Sequence, residues 1–163
     1  MTQRTSSSAW VRGIADMFAA EGLPAADLCA EVGIDLPALQ QQPQTRVDVD
    51  RVSRLWEAAA TRYGQPGLGL GLARDLASRY GNVDLVGYAL ASGPNLLIGF
   101  EHLQRQMALI SDATTFEMRR DPRGQGYWLA LSHIGATRPI PRQRIEFAVL
   151  TLFTLCCWLT RRD

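Results

Sequence analysis

The stretch Leu96-Leu-Ile-Gly-Phe100-Glu-His102-Leu103-Gln-Arg105-Gln-Met107-Ala-Leu-Ile110-Ser-Asp-Ala-Thr-Thr115-Phe116-Glu-Met118-Arg119 contains a change of hydrophobic period, and that change decides the fold class. Leu96, Phe100, Leu103, Met107 and Ile110 recur at 4-3-4-3 spacing, which places them on one face of a helix. Gly93-Pro94 breaks the chain just before it, so the helix is expected over 95–111. From Thr115 to Arg119 polar and apolar residues alternate, Asp121-Pro122-Arg123-Gly124 is a turn, and Tyr127 to His133 is again rich in strand formers. The reading is an antiparallel hairpin of 114–119 and 126–133, with Phe116 and Met118 on one face.

Working outward, the rest reads as helices. Ser7 or Ser8 caps a first helix carrying Trp10, Val11, Ile14, Met17 and Phe18, with Gly22 at its left-handed end. Pro24 opens a short second helix, with Leu28, Cys29 and Val32 on one face and Gly33 closing it. Residues 40–45 have nothing apolar to bury and read as an exposed connection. Asp48 or Asp50 then caps an amphipathic helix with Val52, Leu55, Trp56, Ala59 and Tyr63. Gly67-Leu-Gly-Leu-Gly-Leu suggests a helix with a frayed start whose Leu68, Leu70, Leu72 and Leu76 need burial, and Asn82–Ser92 suggests another short one. The last helix starts near Arg142 and is apolar nearly all round; its run Ile145–Leu159 contains Glu146 and falls short of the roughly 20 residues of a membrane span, so it is expected to be buried. Together these make a single α+β domain over 1–163, mostly helical, with a small antiparallel β-sheet packed against helices.

Composition narrows the chemistry. A net charge of +1, from seventeen basic and sixteen acidic residues, supplies no field for drawing in nucleic acid or anionic lipid. Every basic residue is Arg; without Lys there is neither a Schiff base nor a phosphate-binding loop of the Walker type. Cys29, Cys156 and Cys157 cannot pair completely, which with the polar N-terminus points to a cytoplasmic protein with core thiols. His102 and His133 lie on different elements, so neither a metal site nor any other cofactor is expected. Gly67-Leu-Gly69-Leu-Gly71 fails the dinucleotide pattern because Arg74 stands where a third Gly belongs. Ala26–Leu39 copies the start of a helix-turn-helix, but Leu36–Gln41 is too short and lacks the Arg residues that would contact DNA.

What remains is a small-molecule cavity between helix 95–111, the hairpin and helix 142–159, which supply aromatic and thioether side chains with a few polar groups. Its candidate residues are Tyr88, His102, Arg105, Met107, Trp128 and His133, each of which taken singly also suits a core, with Arg105 equally suited to solvent. An enclosed space of roughly a few hundred Å³ would mark a sensor, whereas a solid core with a large apolar face would mark a protein–protein interaction or oligomerisation module with no effector. An enzyme would need convergent titratable groups that this sequence does not display.

The run Gly81-Asn-Val-Asp-Leu-Val-Gly87-Tyr88-Ala-Leu-Ala-Ser92-Gly-Pro94-Asn-Leu96, the triplet Ile110-Ser111-Asp112 and the strand and turn that follow resemble the N-terminal effector-binding region of AraC-type transcriptional regulators, of the subtype labelled arabinose-binding. Gly22-Leu-Pro24, Val32-Gly33-Ile34-Asp35 and the Arg51–Tyr63 helix fit the same resemblance. It implies a sensory and dimerising half, not an enzyme, whose partners are a small-molecule effector and a second copy of itself, with no membrane. Promoter DNA would be reached only through a C-terminal helix-turn-helix domain missing from this chain. The resemblance also implies a truncation before that domain, in keeping with a last helix that shows neither a Gly cap nor a Pro stop. The sugar in the family label is not carried over as the ligand.

Overall fold

A computed structural model describes residues 4–76, 85–135 and 137–161. The fold is α+β and mostly helical. In chain order its elements are β1 (Thr5–Ser7), α1 (Ser8–Ala20), α2 (Ala25–Glu31), α3 (Leu36–Gln41), β2 (Arg46–Asp48), α4 (Val49–Arg62), α5 (Leu68–Leu76), α6 (Leu85–Ala91), α7 (Leu96–Ile110), β3 (Thr114–Arg120), β4 (Tyr127–His133) and α8 (Arg142–Thr160).

Local chemistry sets the boundaries. Ser7 caps α1 by accepting from the Trp10 N–H, Asp48 caps α4 by accepting from Asp50 and Arg51, and Asn95 caps α7 by accepting from Ile98. Gly22 and Gly33 sit at positive φ after α1 and α2, as expected. β3 and β4 pair antiparallel with Phe116 opposite Leu131 and Met118 opposite Leu129, the expected hairpin. Its turn closes through Gly124 N–H to the Asp121 carbonyl, while the Asp121 side chain accepts from Arg123.

A second two-stranded sheet was not read from the sequence. β1 pairs antiparallel with β2, Thr5 opposite Asp48, and the isolated bridge Ser6–Ser111 ties the pair to the end of α7. Arg46 reinforces that tie by donating to the Leu109 and Ala108 carbonyls, which α7 leaves without intrahelical partners.

Two apolar clusters form. One gathers Val11, Ile14, Phe18, Leu28, Leu55, Trp56 and Phe147; the other gathers Val86, Leu90, Phe100, Leu103, Ile110, Phe116 and Leu155. Each fully buried Leu or Phe contributes about 1.5–3 kcal/mol. Trp10 packs against both clusters, and α8 spans them, giving Phe147 to one and Leu155 to the other. Two glycines permit close helix approach: a Cβ on Gly69 of α5 would lie 2.0 Å from the Gln143 carbonyl oxygen of α8, and one on Gly99 of α7 would lie 2.3 Å from that of Leu90.

Several expectations need correction. α8 is nineteen residues, long and apolar enough by length and composition to cross a membrane, and only 22% of its most apolar window is buried. Its inner face carries Arg144, Phe147, Thr151 and Leu155, while Val149, Phe153 and Trp158 are 52%, 63% and 50% exposed. The helix does stop: Arg161 takes a left-handed conformation, φ 52, and its N–H returns to the Cys157 and Trp158 carbonyls. Leu70 is exposed, whereas Leu68, Leu72 and Ala73 of α5 turn inward; the side chain of Leu76 lies outside the described residues. The connection expected at 40–45 begins later, because α3 continues through Gln41. Helix Asn82–Ser92 corresponds to α6, and its first three positions lie outside the described residues.

Candidate ligand-binding site

A cavity of about 50 Å³ lies where α1, α4, α7, the β3–β4 hairpin and α8 meet. It holds about three or four waters' worth of space, smaller than the roughly 300 Å³ at which most ligand pockets begin, so this cavity falls short of the enclosed space expected of a sensor. Most of its wall is apolar. Phe147 is the hub, its ring 6.1 Å from that of Trp10 and 5.2 Å from that of Trp56, and Trp56 in turn meets Phe18 edge-on at 5.2 Å. Phe116 and Leu131 close the hairpin side, Met107 and Ile110 the α7 side.

The polar part of the wall is small. Arg144, on the first turn of α8, is only 4% exposed, and its Nη1 donates to Ser53 Oγ at 3.3 Å. It forms no ion pair among the described residues; the carboxylate of Asp50 acts on it from farther away. Burial lowers the Arg144 pKa to about 10 against the opposing pull of Asp50, so the guanidinium stays cationic at neutral pH. His133, at the end of β4, shares a hydrogen bond of 2.9 Å between Nδ1 and Thr114 Oγ1. Its Nε2 is buried without a partner, as are Thr151 Oγ1 and Trp56 Nε1. Burial first, and then the nearby Arg144 charge, lowers the His133 pKa to about 4, so the ring is neutral at pH 7. An orphaned buried polar atom costs about 1–3 kcal/mol, and three of them in one wall are a reservoir of binding energy for a ligand with matching groups.

Of the candidate residues, the structure brings Met107 and His133 into this wall. Tyr88 is 70% exposed on α6 and Trp128 67% exposed on β4. His102 lies within α7, its Nδ1 2.8 Å from Oγ of Ser92, the residue after α6. Arg105 reaches solvent and pairs loosely with Glu101 at 3.8 Å. Sequence reasoning overlooked Arg144, Thr151, Trp56 and Trp10. A signal for the first two was present: Arg144, Phe147, Thr151 and Leu155 recur at 3-4-4 spacing, so two polar residues share the stripe that α8 buries. Elsewhere, burial raises the Cys29 thiol, and burial together with Cys157 raises that of Cys156, so neither is poised as a thiolate.

The site is thus a small, mostly apolar cavity beside a buried cation, set in a mostly helical α+β domain. Residues 22–163 match the family described as the arabinose-binding domain of AraC transcription regulators, N-terminal, and the chain belongs to that family. It is a family of regulatory ligand-binding domains, not of enzymes. No curated relative matches the chain.

Proposed function

We propose that this domain is the sensory half of a cytoplasmic transcription factor, and that its effector occupies the cavity walled by Trp10, Trp56, Phe147, His133 and Arg144. The observation that carries this reading is the convergence of one buried cation and three partnerless polar atoms in an otherwise mostly apolar space. The space is tight, so any ligand beyond a few heavy atoms has to displace half-buried wall residues such as Met107, an unbranched side chain suited to repacking. Occupancy then biases the dimer, and through it a C-terminal DNA-binding domain, by no more than the effector's difference in affinity for the two arrangements. Couplings of this kind are typically about 1–3 kcal/mol, or roughly 5–150-fold in promoter affinity. The domain itself performs no catalysis, and it meets DNA only through that second domain.

The test is a thermal-shift and calorimetric screen of amino acids, fatty acids, sugars and aromatic acids, followed by promoter binding by the full-length regulator. A ligand that stabilises the domain is expected to move promoter affinity. Promoter affinity that ignores every stabilising ligand refutes the sensing role.

A second reading has its own observation. Ile145, Val149 and Phe153 are exposed at successive turns of α8, an apolar strip that suits self-association. Under this reading the domain assembles and senses nothing; a dimer that forms identically whether or not any ligand binds supports it.

A further inference from the structure

We propose that the ligand class is a simple carboxylic acid with a compact apolar body, its carboxylate paired with Arg144 and hydrogen-bonded by Thr151 and His133. This inference rests on reading the cavity as the effector site and says what enters it. A guanidinium presents five N–H donors in a planar fork shaped for a carboxylate, yet Arg144 has Ser53 as its one hydrogen-bond partner among the described residues. A buried charge of this kind is costly unless an anion and hydrogen bonds complete it.

The acidic group whose charge reaches it does not complete it. Asp50, whose charge still acts on Arg144, lies beyond ion-pair distance and is not part of the wall; its Oδ2 is taken by the Thr137 N–H and hydroxyl, while its buried Oδ1 has no hydrogen-bond partner. Among the described residues the wall therefore has a cation and no anion. That asymmetry separates the candidate chemistries. An amino acid would bring an ammonium for which the wall holds no carboxylate among the described residues. A sugar would bring a ring of hydroxyls against Trp10, Trp56, Phe116 and Phe147, with too few polar atoms to satisfy them. A monocarboxylate satisfies the fork with one end and leaves its apolar remainder against rings. Thr151 donates its hydroxyl, and neutral His133 donates from Nε2 when Nδ1 accepts from Thr114.

The experiment is calorimetric titration of the 163-residue chain with butyrate and benzoate, each against its amide, butyramide and benzamide, at matched ionic strength. Each acid is expected to bind at least about tenfold more tightly than its amide, given what a charge-assisted bidentate pair adds. Arg144→Gln should bring the acid and amide affinities together and so erase that ratio, and Arg144→Lys should keep part of it. If Arg144→Gln fails to fold, the acid-to-amide ratio of the unaltered chain decides alone. Equal binding of acid and amide, with both abolished by the cavity-filling Ala148→Leu, overturns the carboxylate assignment and leaves the cavity reading standing. So does binding of a sugar or amino acid in place of both acids. If no compound of any class binds, the assignment falls together with the sensing reading. The comparison of butyrate with benzoate tells an aliphatic from an aromatic body.

Discussion

Replacing Gly69 with Ala tests the contact between α5 and α8 on which the site is built. By helix propensity alone the change stabilises, because Ala exceeds Gly by about 1 kcal/mol inside a helix. The neighbouring backbone decides otherwise. The new Cβ would stand 2.0 Å from the Gln143 carbonyl oxygen and 2.8 Å from its carbon, and no rotamer change can relieve a clash with main chain. Normal contact requires α8 to retreat by more than about 1 Å, and overpacking of this severity costs about 3 kcal/mol. The expected net loss is about 2 kcal/mol, or roughly 4–8 °C in melting temperature for a chain of this size. Gly71, two residues on, is the internal control: nothing lies within 4 Å of its added Cβ, so Gly71→Ala should gain about 0.5–1 kcal/mol. Urea denaturation followed by circular dichroism, with unchanged slopes, measures both. If Gly69→Ala is as stable as Gly71→Ala, the two helices do not meet as described, and Arg144, the residue after Gln143, is misplaced with them.

Three further outcomes are expected. His133 is held neutral, with a pKa near 4 against 6.5 for an ordinary histidine; its contribution is complete above pH 6.5 and is lost as the pH falls towards 4, by about 3 kcal/mol at most. Urea midpoints from pH 7.5 to 4.5 should therefore fall more steeply for the native chain than for His133→Gln, and parallel curves refute the assignment. Asn95→Ala removes the side chain that accepts from Ile98 at the start of α7 and should cost about 1 kcal/mol in the same assay, whereas a change within a few tenths contradicts the cap. Val149→Glu with Phe153→Glu should abolish concentration-dependent association in sedimentation experiments while leaving folding stability within about 0.5 kcal/mol, since both side chains are more than half exposed; a dimer that persists in this variant excludes the α8 face.

α7 and the hairpin were legible because each repeats its period long enough to be counted, and Phe116 and Met118 do face the second cluster together. The sheet of β1 and β2 was not, because three residues hold no period and the pairing of Thr5 with Asp48 joins distant parts of the chain. Residue type located the candidate site only in part. Met107 followed from its helical stripe and His133 from the strand. Trp128, however, points to solvent, because most of β4 has no layer over its outer face. Arg144 stayed hidden because a charge in a greasy helix looks like surface until Ser53 and Phe147 are seen around it.

The four tryptophans divide evenly between two surroundings. Trp10 and Trp56 border the cavity, while Trp128 and Trp158 stand at least half in solvent on the hairpin and α8. Intrinsic fluorescence is thus already sorted by address: the blue-shifted component belongs to the inner pair, and the quencher-accessible component to the outer pair. With Trp128 and Trp158 changed to Phe, the remaining emission becomes a label-free gauge of what enters the interior, and the reverse pair of changes gives a gauge of what docks outside.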